Sequence, residues 1–120
     1  MATLTENTRA GEFILSEANG NRSRDNVVIS GGNYVAGTVL GKLTATGAYT
    51  EHDPGALDGS EAAAGILFAG VDASAADASG AIVSRDAEVD GDLLTYITGI
   101  STANRDLAIA DLLAFGIIVR

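Results

Sequence analysis

The sequence predicts a mainly β fold: a small domain with one short C-terminal helix and an extended N-terminal arm. Fifteen glycines and one proline among 120 residues indicate many turns and bulges, which are typical of β-rich chains. Apolar residues make up 47% of the chain, but it has only three Phe, three Tyr and no Trp, so Val, Ile, Leu and Ala must build most of the core. A chain of this length is usually one domain. We predict an arm over residues 1–25 and a single body over residues 26–120.

The arm is polar apart from one short apolar run. Residues 1–11 show no hydrophobic periodicity and are interpreted as a tail. Residues 12–17 read EFILSE, an apolar run bracketed by glutamates, and residues 18–24 read ANGNRSR, which is turn or linker chemistry. The body then begins with a short strand predicted at residues 27–29.

The rest of the body reads as strands joined by polar loops. In residues 35–43, alternation places every second residue on one side of a strand, namely Val35, Gly37, Val39, Gly41 and Leu43. A hairpin loop is predicted at residues 45–47, because Gly47 can adopt a positive φ. Further strands are predicted at residues 48–50, 64–71, 81–83 and 93–97, separated by loops rich in Gly, Asp and Ser.

One helix is predicted over residues 103–114, which contain no Gly, Pro or Val. Ser101 or Thr102 can cap its start with a side-chain oxygen, and Gly116 suits the position after its end. Leu107, Ala110, Leu113 and Ala114 line one side of this helix. A terminal strand is predicted at residues 117–119.

The chain is acidic, with a formal net charge of −9. The arm carries three Arg against four acids, whereas the body carries four basic residues against twelve acids. An acidic body repels the phosphate backbone, which argues against a nucleic-acid partner. No apolar run approaches the ~20 residues of a membrane span, and the N-terminus lacks the apolar region of a secretory signal. Without cysteine there is no disulfide framework, which fits an intracellular product.

The loop at residues 52–61 is the candidate metal site. His52 is the only histidine, and a zinc site would need further ligands of fixed geometry. Calcium could use Asp53, Asp58 and Glu61, but Pro54 and its neighbours break the alternate spacing of an EF-hand loop. We therefore favour a plain turn here and predict no metal site and no cofactor.

A second acidic set, Glu88, Asp90 and Asp92, alternates along the chain, but with Gly91 between two acids we favour a solvent-facing hairpin end over a metal site.

Signals for catalysis are weak. A Ser or Thr nucleophile would need a base, for which only His52 and Lys42 are available, and there is no GxSxG motif. Sixteen carboxylates make some acid pair inevitable, so the pattern carries little information. We predict that the protein is not an enzyme.

The apolar run Phe13-Ile14-Leu15 has two interpretations. It is either the first strand of the body's own sheet or a segment that adds to a partner's exposed sheet edge, where backbone hydrogen bonds give affinity. The residues leave both interpretations open.

The ordered combination of motifs resembles the lambda-type phage head decoration proteins. The similar segments are residues 12–18 (EFILSEA) with 23–25 (SRD), residues 37–42 (GTVLGK) with Thr46-Gly47, Asp53-Pro54 with residues 58–67 (DGSEAAAGIL), and residues 109–112 (IADL) with 116–119 (GIIV). No single motif is specific, but together they cover the chain from about residue 11 to residue 120.

The resemblance implies a β-clip type fold and a homotrimer. It implies that the trimer binds three-fold positions on the outer surface of an expanded phage head and clamps neighbouring major capsid subunits. During assembly of the virion, the protein is expected in the host cytoplasm. The resemblance also implies that the arm contacts the capsid, and we predict Phe13, Ile14, Leu15 and Arg24 as contact residues. Deleting residues 1–24 is then expected to leave a folded trimer that no longer binds heads. The alternatives are a small acidic soluble metal- or ligand-binding β-domain and, last, an acid/base enzyme.

Overall fold

The computed structural model describes residues 9–20 and 22–120. Within these residues the chain forms ten strands, one α-helix and one 3₁₀ turn at Gly91–Leu93. In chain order the elements are β1 (Ile14–Glu17), β2 (Arg24–Ile29), β3 (Asn33–Tyr34), β4 (Val39–Lys42), β5 (Tyr49–Glu51), β6 (Ala63–Leu67), β7 (Val71–Asp72), β8 (Ala78–Val83), β9 (Ala87–Val89), α1 (Thr102–Ala114) and β10 (Ile117–Val119). The predicted mainly β fold with one C-terminal helix is confirmed.

Five strands close a small barrel in the order β2-β5-β4-β6-β8. β2 pairs antiparallel with β8 along its whole length, from Arg24 opposite Val83 to Ile29 opposite Ala78. The other side of β2 meets β5 only once, in a parallel bridge between Ile29 and Tyr49. The barrel is therefore firmly paired on one side of β2 and barely paired on the other.

A separate three-stranded sheet has β9 in its centre, with β1 antiparallel on one side and β10 parallel on the other. β3 and β7 form a short antiparallel pair. Because α1 leads directly into β10, the helix lies close to this sheet and also contacts β6 of the barrel.

The core has two parts. The larger one lies where α1, the three-stranded sheet and the barrel meet, and its fully buried members include Phe13, Val39, Ile66, Val83, Val89, Ala108, Leu112 and Ile117. The smaller one is formed by barrel residues and the loop after β7: Ile29, Leu40, Leu67, Ala73 and Ile82. Both are mainly aliphatic, as the scarcity of aromatic residues predicts.

The helix begins and ends as the sequence predicts. The Ser101 hydroxyl accepts a hydrogen bond from the Asn104 backbone N–H at 3.2 Å, which satisfies one of the free donors of the first turn. Gly116 follows the helix with a φ of 83°, a conformation that glycine adopts without steric cost. However, the core is contacted by Ala108 and Leu112, whereas all four residues of the predicted apolar side are exposed.

Three strand predictions were wrong in extent or in type. The strand predicted at residues 64–71 ends at Leu67 in β6, and Val71–Asp72 forms β7 in a different sheet. The strand predicted at residues 35–43 is shortened to β4, because Gly37 has a φ of 89° and so ends the extended backbone. The strand predicted at residues 93–97 does not form. There the Asp90 carboxylate accepts a bond from the Asp92 N–H at 3.0 Å and starts the 3₁₀ turn, after which Thr95 makes one isolated bridge to Thr38.

Candidate functional site

The apolar run of the predicted arm lies against the body. Phe13 is completely buried in the larger core cluster, and its carbonyl accepts a hydrogen bond from the Asp90 N–H at 2.7 Å. The following residues form β1, which pairs with β9. Of the two interpretations that the sequence left open, the structure shows the first strand of the body's own sheet.

The four predicted capsid-contact residues are in different environments. Phe13 faces the core, Ile14 is half-buried, and Leu15 exposes 55% of its surface. The Arg24 side chain is about one-third exposed and is engaged within the chain. Leu15 is therefore the member of this set whose apolar side chain is available to a partner. Contact of these residues with a capsid stays a prediction, and residues 1–8 of the predicted arm lie outside the described residues.

Arg24 fastens the start of β2 to β1. Its guanidinium pairs with the Glu17 carboxylate, and Nε donates to Oε2 of that carboxylate at 3.1 Å. The guanidinium carbon also lies 3.9 Å from the centroid of the Phe68 ring, which is cation–π geometry. These hydrogen bonds from Arg24, with one from the Ser23 hydroxyl, lower the pKa of the Glu17 carboxyl.

A second ion pair joins β2 to the segment after β8. The Asp25 carboxylate accepts hydrogen bonds from the Arg85 guanidinium at 2.5 Å and from the Ser84 hydroxyl at 2.8 Å. Both bonds, that of Arg85 first, lower the pKa of the Asp25 carboxyl. Arg85 also donates to the Arg22 carbonyl at 2.7 Å, so this pair holds the loop before β2 in place.

Among the described residues, four of the seven large hydrophobic side chains that are exposed lie on α1 and the segment after it. We call this surface the helix face, and it comprises Ala103, Leu107, Ala110, Leu113, Ala114, Phe115 and Ile118. Leu107 and Leu113 expose 64% and 58% of their surface. Beside it is a groove of about 410 Å³ lined largely by alanines at 62–64 and 114 and by Phe115. The sequence grouped much of this face correctly but did not indicate that it lies away from the body's core.

The acidic loop at residues 52–61 uses its carboxylates to cap its own turns. Asp53 accepts from the Gly55 N–H at 3.0 Å, and Asp58 accepts from the Ser60 hydroxyl at 2.6 Å. Hydrogen bonding from Ser60 lowers the pKa of the Asp58 carboxyl. His52 is buried, and its Nε2 donates to the Glu61 carbonyl at 3.1 Å. These contacts agree with the interpretation of the loop as turn chemistry.

Residues 9–20 and 22–120 place no group of three or more His, Asp or Glu side chains where they could hold a metal ion. Over the same ranges, no helix is both long and apolar enough to cross a membrane. Exposed features of the described residues include the helix face, Leu15 and the side of β2 that meets β5 in a single bridge.

The family model of bacteriophage lambda head decoration protein D matches residues 3–117 of this chain. The chain belongs to this family. The match spans all the strands of the barrel, β1, β9, α1 and the start of β10, so it covers the fold as a whole rather than one motif. A comparison with curated proteins finds no significant match. The head decoration protein D family is structural and is not a known family of enzymes.

Proposed function

We propose that this protein decorates the phage head as a homotrimer. In this proposal the trimer binds three-fold positions on the outer surface of the expanded head and clamps neighbouring major capsid subunits, after folding in the host cytoplasm. The observation that carries the proposal is the family match over residues 3–117. The exposed surfaces of the structure support the finer parts of it.

The helix face supports self-association. Fully burying one Leu or Phe side chain contributes about 1.5–3 kcal/mol. Burying the exposed parts of several such side chains on this face would therefore offset part of the cost of association. Contiguous exposed apolar surface on a small protein commonly marks an interaction site. When a face of one copy contacts a different face of the next, the copies form a closed ring if the rotation between neighbours divides a full turn evenly. A rotation of one-third of a turn gives a trimer.

Leu15 supports head attachment through the N-terminal segment. Phe13 anchors this segment in the core, which fixes the position of Leu15 on the surface. Three such side chains on one trimer would bind together, because the first contact raises the effective concentration of the others. Weak individual contacts then sum to tight attachment.

Head binding is tested by sedimenting the protein with purified empty expanded heads. Leu15→Asp should lose binding, because it places a charge where an apolar contact forms. Leu57→Asp is the matched control, since Leu57 is 98% exposed and lies in the acidic loop. Wild-type protein that fails to sediment with heads would refute the decoration role, and unchanged binding by Leu15→Asp would place the contact elsewhere.

The trimer is tested by light scattering after size exclusion. Leu107→Glu should yield a folded monomer, because the substitution puts a charge in the middle of the helix face, while Leu57→Glu should leave the trimer intact. Circular dichroism confirms that the monomer is folded. A monomeric wild type would refute the homotrimer, and a trimeric Leu107→Glu variant would move the interface away from the helix face.

A further inference from the structure

β2 presents an almost unpaired backbone edge to a groove. Its pairing with β8 is complete, but towards β5 it makes one bridge at Ile29. Backbone groups of successive residues in a strand point to alternate edges. The Ser30 N–H donates to the Tyr49 carbonyl at 2.9 Å, which puts the even-numbered residues of β2 on the β5 side. The Asn26 N–H and C=O and the Val28 N–H therefore face the open edge.

On the β8 side, the Ser23 carbonyl accepts from the Ser84 N–H at 2.9 Å. Odd-numbered residues of β2 therefore face β8, which agrees with the assignment of the even-numbered ones to the open edge. Asn26 and Val28 are also solvent-exposed residues. The edge is thus accessible and offers both a donor and an acceptor to another backbone.

The edge lines a groove of about 580 Å³. One wall is residues 25–28 of β2, and the other is the turn at residues 46–49 between β4 and β5. Lys42 and Asp77 also line it, and within the part of the chain that the structure describes neither forms an ion pair. Lys42 Nζ lies 5.9 Å from the centroid of the Tyr49 ring, which also lines the groove. The lining is more polar than apolar and carries two charges of opposite sign that have no oppositely charged partner among the described residues.

This chemistry fits an extended polypeptide better than a compact apolar ligand. Sites for small molecules are lined predominantly by apolar and aromatic side chains. An extended peptide instead satisfies the backbone groups of a strand edge and places alternate side chains in flanking pockets. A segment with one basic and one acidic side chain would also compensate Asp77 and Lys42.

We propose that this edge of β2 receives an extended segment of the major capsid subunit, which adds to the barrel as a strand beside Asn26 and Val28. The inference rests on the proposed decoration function. A capsid partner fits better than a second copy of this chain, because permanent interfaces between copies are the more apolar ones and the helix face supplies such a surface. The polar groove is suited to a partner that is met after the trimer has formed.

The first test substitutes Asn26 and measures binding to empty expanded heads by sedimentation. Asn26→Pro removes the open-edge N–H and should weaken head binding at least about fivefold. Asn26→Thr keeps the N–H and favours a strand, so it should bind like the wild type. Light scattering and thermal unfolding confirm that both variants remain folded trimers. Wild-type binding by a folded Asn26→Pro variant would overturn the inference.

The second test needs no variant. Hydrogen exchange of the Asn26 and Val28 amides is measured in the free protein and on heads, with the Val27 amide, which faces β8, as the internal control. Strand addition should slow exchange of the first two at least about tenfold and leave Val27 little changed. Equal exchange in both states would overturn the inference but not the decoration function, provided that the protein sediments with heads. Slow exchange already in the free trimer would also overturn it and assign the edge to a second copy. Wild-type protein that does not bind heads would refute both proposals.

Discussion

Phe13→Ala should destabilise the protein severely, because Phe13 ties the N-terminal segment to the core. The side chain is fully buried among residues of β4, β6, β8, β9, β10 and α1. Truncating a buried Phe to Ala costs about 3–5 kcal/mol, depending on how far the site can collapse around the cavity. Here the backbone is held by the bond between the Phe13 carbonyl and the Asp90 N–H, so collapse is restricted and the upper part of the range applies.

That loss is a large fraction of the 5–15 kcal/mol typical of a folded domain. It corresponds to a fall in Tm of about 10–20 °C for a chain of this size. The measurement is urea and thermal unfolding at a fixed protein concentration, because assembly makes stability depend on concentration. Leu15→Ala is the control, since it removes a half-exposed side chain two residues away and should cost less than about 1 kcal/mol.

A loss below about 1 kcal/mol for Phe13→Ala would refute the reasoning, because a cavity in a core that cannot collapse must cost more. The same reasoning changes the expected effect of truncation. Deleting residues 1–24 removes Phe13 and β1, so the body should unfold, contrary to the expectation from the sequence.

Three further predictions concern local structure and pH. Gly41→Ala should cost about 3 kcal/mol in urea unfolding, because a Cβ there would lie 2.5 Å from backbone atoms of the opposite loop. Gly99→Ala is the control: a Cβ there would meet no atom within 4 Å, so the variant should cost only the backbone strain of its positive φ, about 1 kcal/mol. Equal losses would contradict the close approach at Gly41. Ser101→Ala should lower stability by about 1 kcal/mol through loss of the helix cap, and Ser101→Asp should restore it; no loss would show that the cap bond contributes nothing. Arg24 lowers the pKa of the Glu17 carboxyl below its ordinary value of 4.5. The ion pair between Arg24 and Glu17 therefore stabilises the fold fully above pH 4.5, and this stabilisation is lost as the pH falls through the lowered pKa. Glu17→Gln should therefore be less stable than the wild type at neutral pH, with a difference that shrinks in urea titrations towards pH 3; a constant difference would contradict the ion pair.

Features that depend on neighbours in sequence were predictable. The cap at Ser101, the end of the helix before Gly116 and the strand at β10 all follow from local chemistry, and the structure confirms them. The family resemblance, which rested on the order of several weak motifs, is confirmed by the match to residues 3–117.

Features that depend on contacts between residues far apart in sequence were not predictable. The sequence predicted a strand at residues 93–97, but the Asp90 carboxylate starts a 3₁₀ turn at Gly91–Leu93 and no strand follows it. Phe13 looked like part of a polar arm because its partners are 26 or more residues away in sequence. The burial of a residue by such partners leaves no local signal.

The candidate interaction surfaces also combine features that the sequence predicts with features that depend on distant contacts. Periodicity grouped Leu107, Ala110, Leu113 and Ala114 on one side of α1, and this grouping is real. Which side of the helix faces the body depends on how α1 packs against β6 and β10, which no local pattern encodes. The open edge of β2 was likewise not predictable, because it arises from how far β5 diverges from it.

The placement of β9 between β1 and β10 brings the two ends of the folded chain together. Ile14 and Val119 both stand opposite Val89, one on each side. Two strand spacings of about 4.8 Å separate them, so the start of β1 and the end of β10 lie within roughly 10 Å of each other. A short linker could therefore connect the end of β10 to the segment that leads into β1, and new termini could be opened in an exposed loop such as that around Leu57 without disturbing a strand. A peptide fused after β10 would therefore emerge close to β1, beside whatever the N-terminal segment binds.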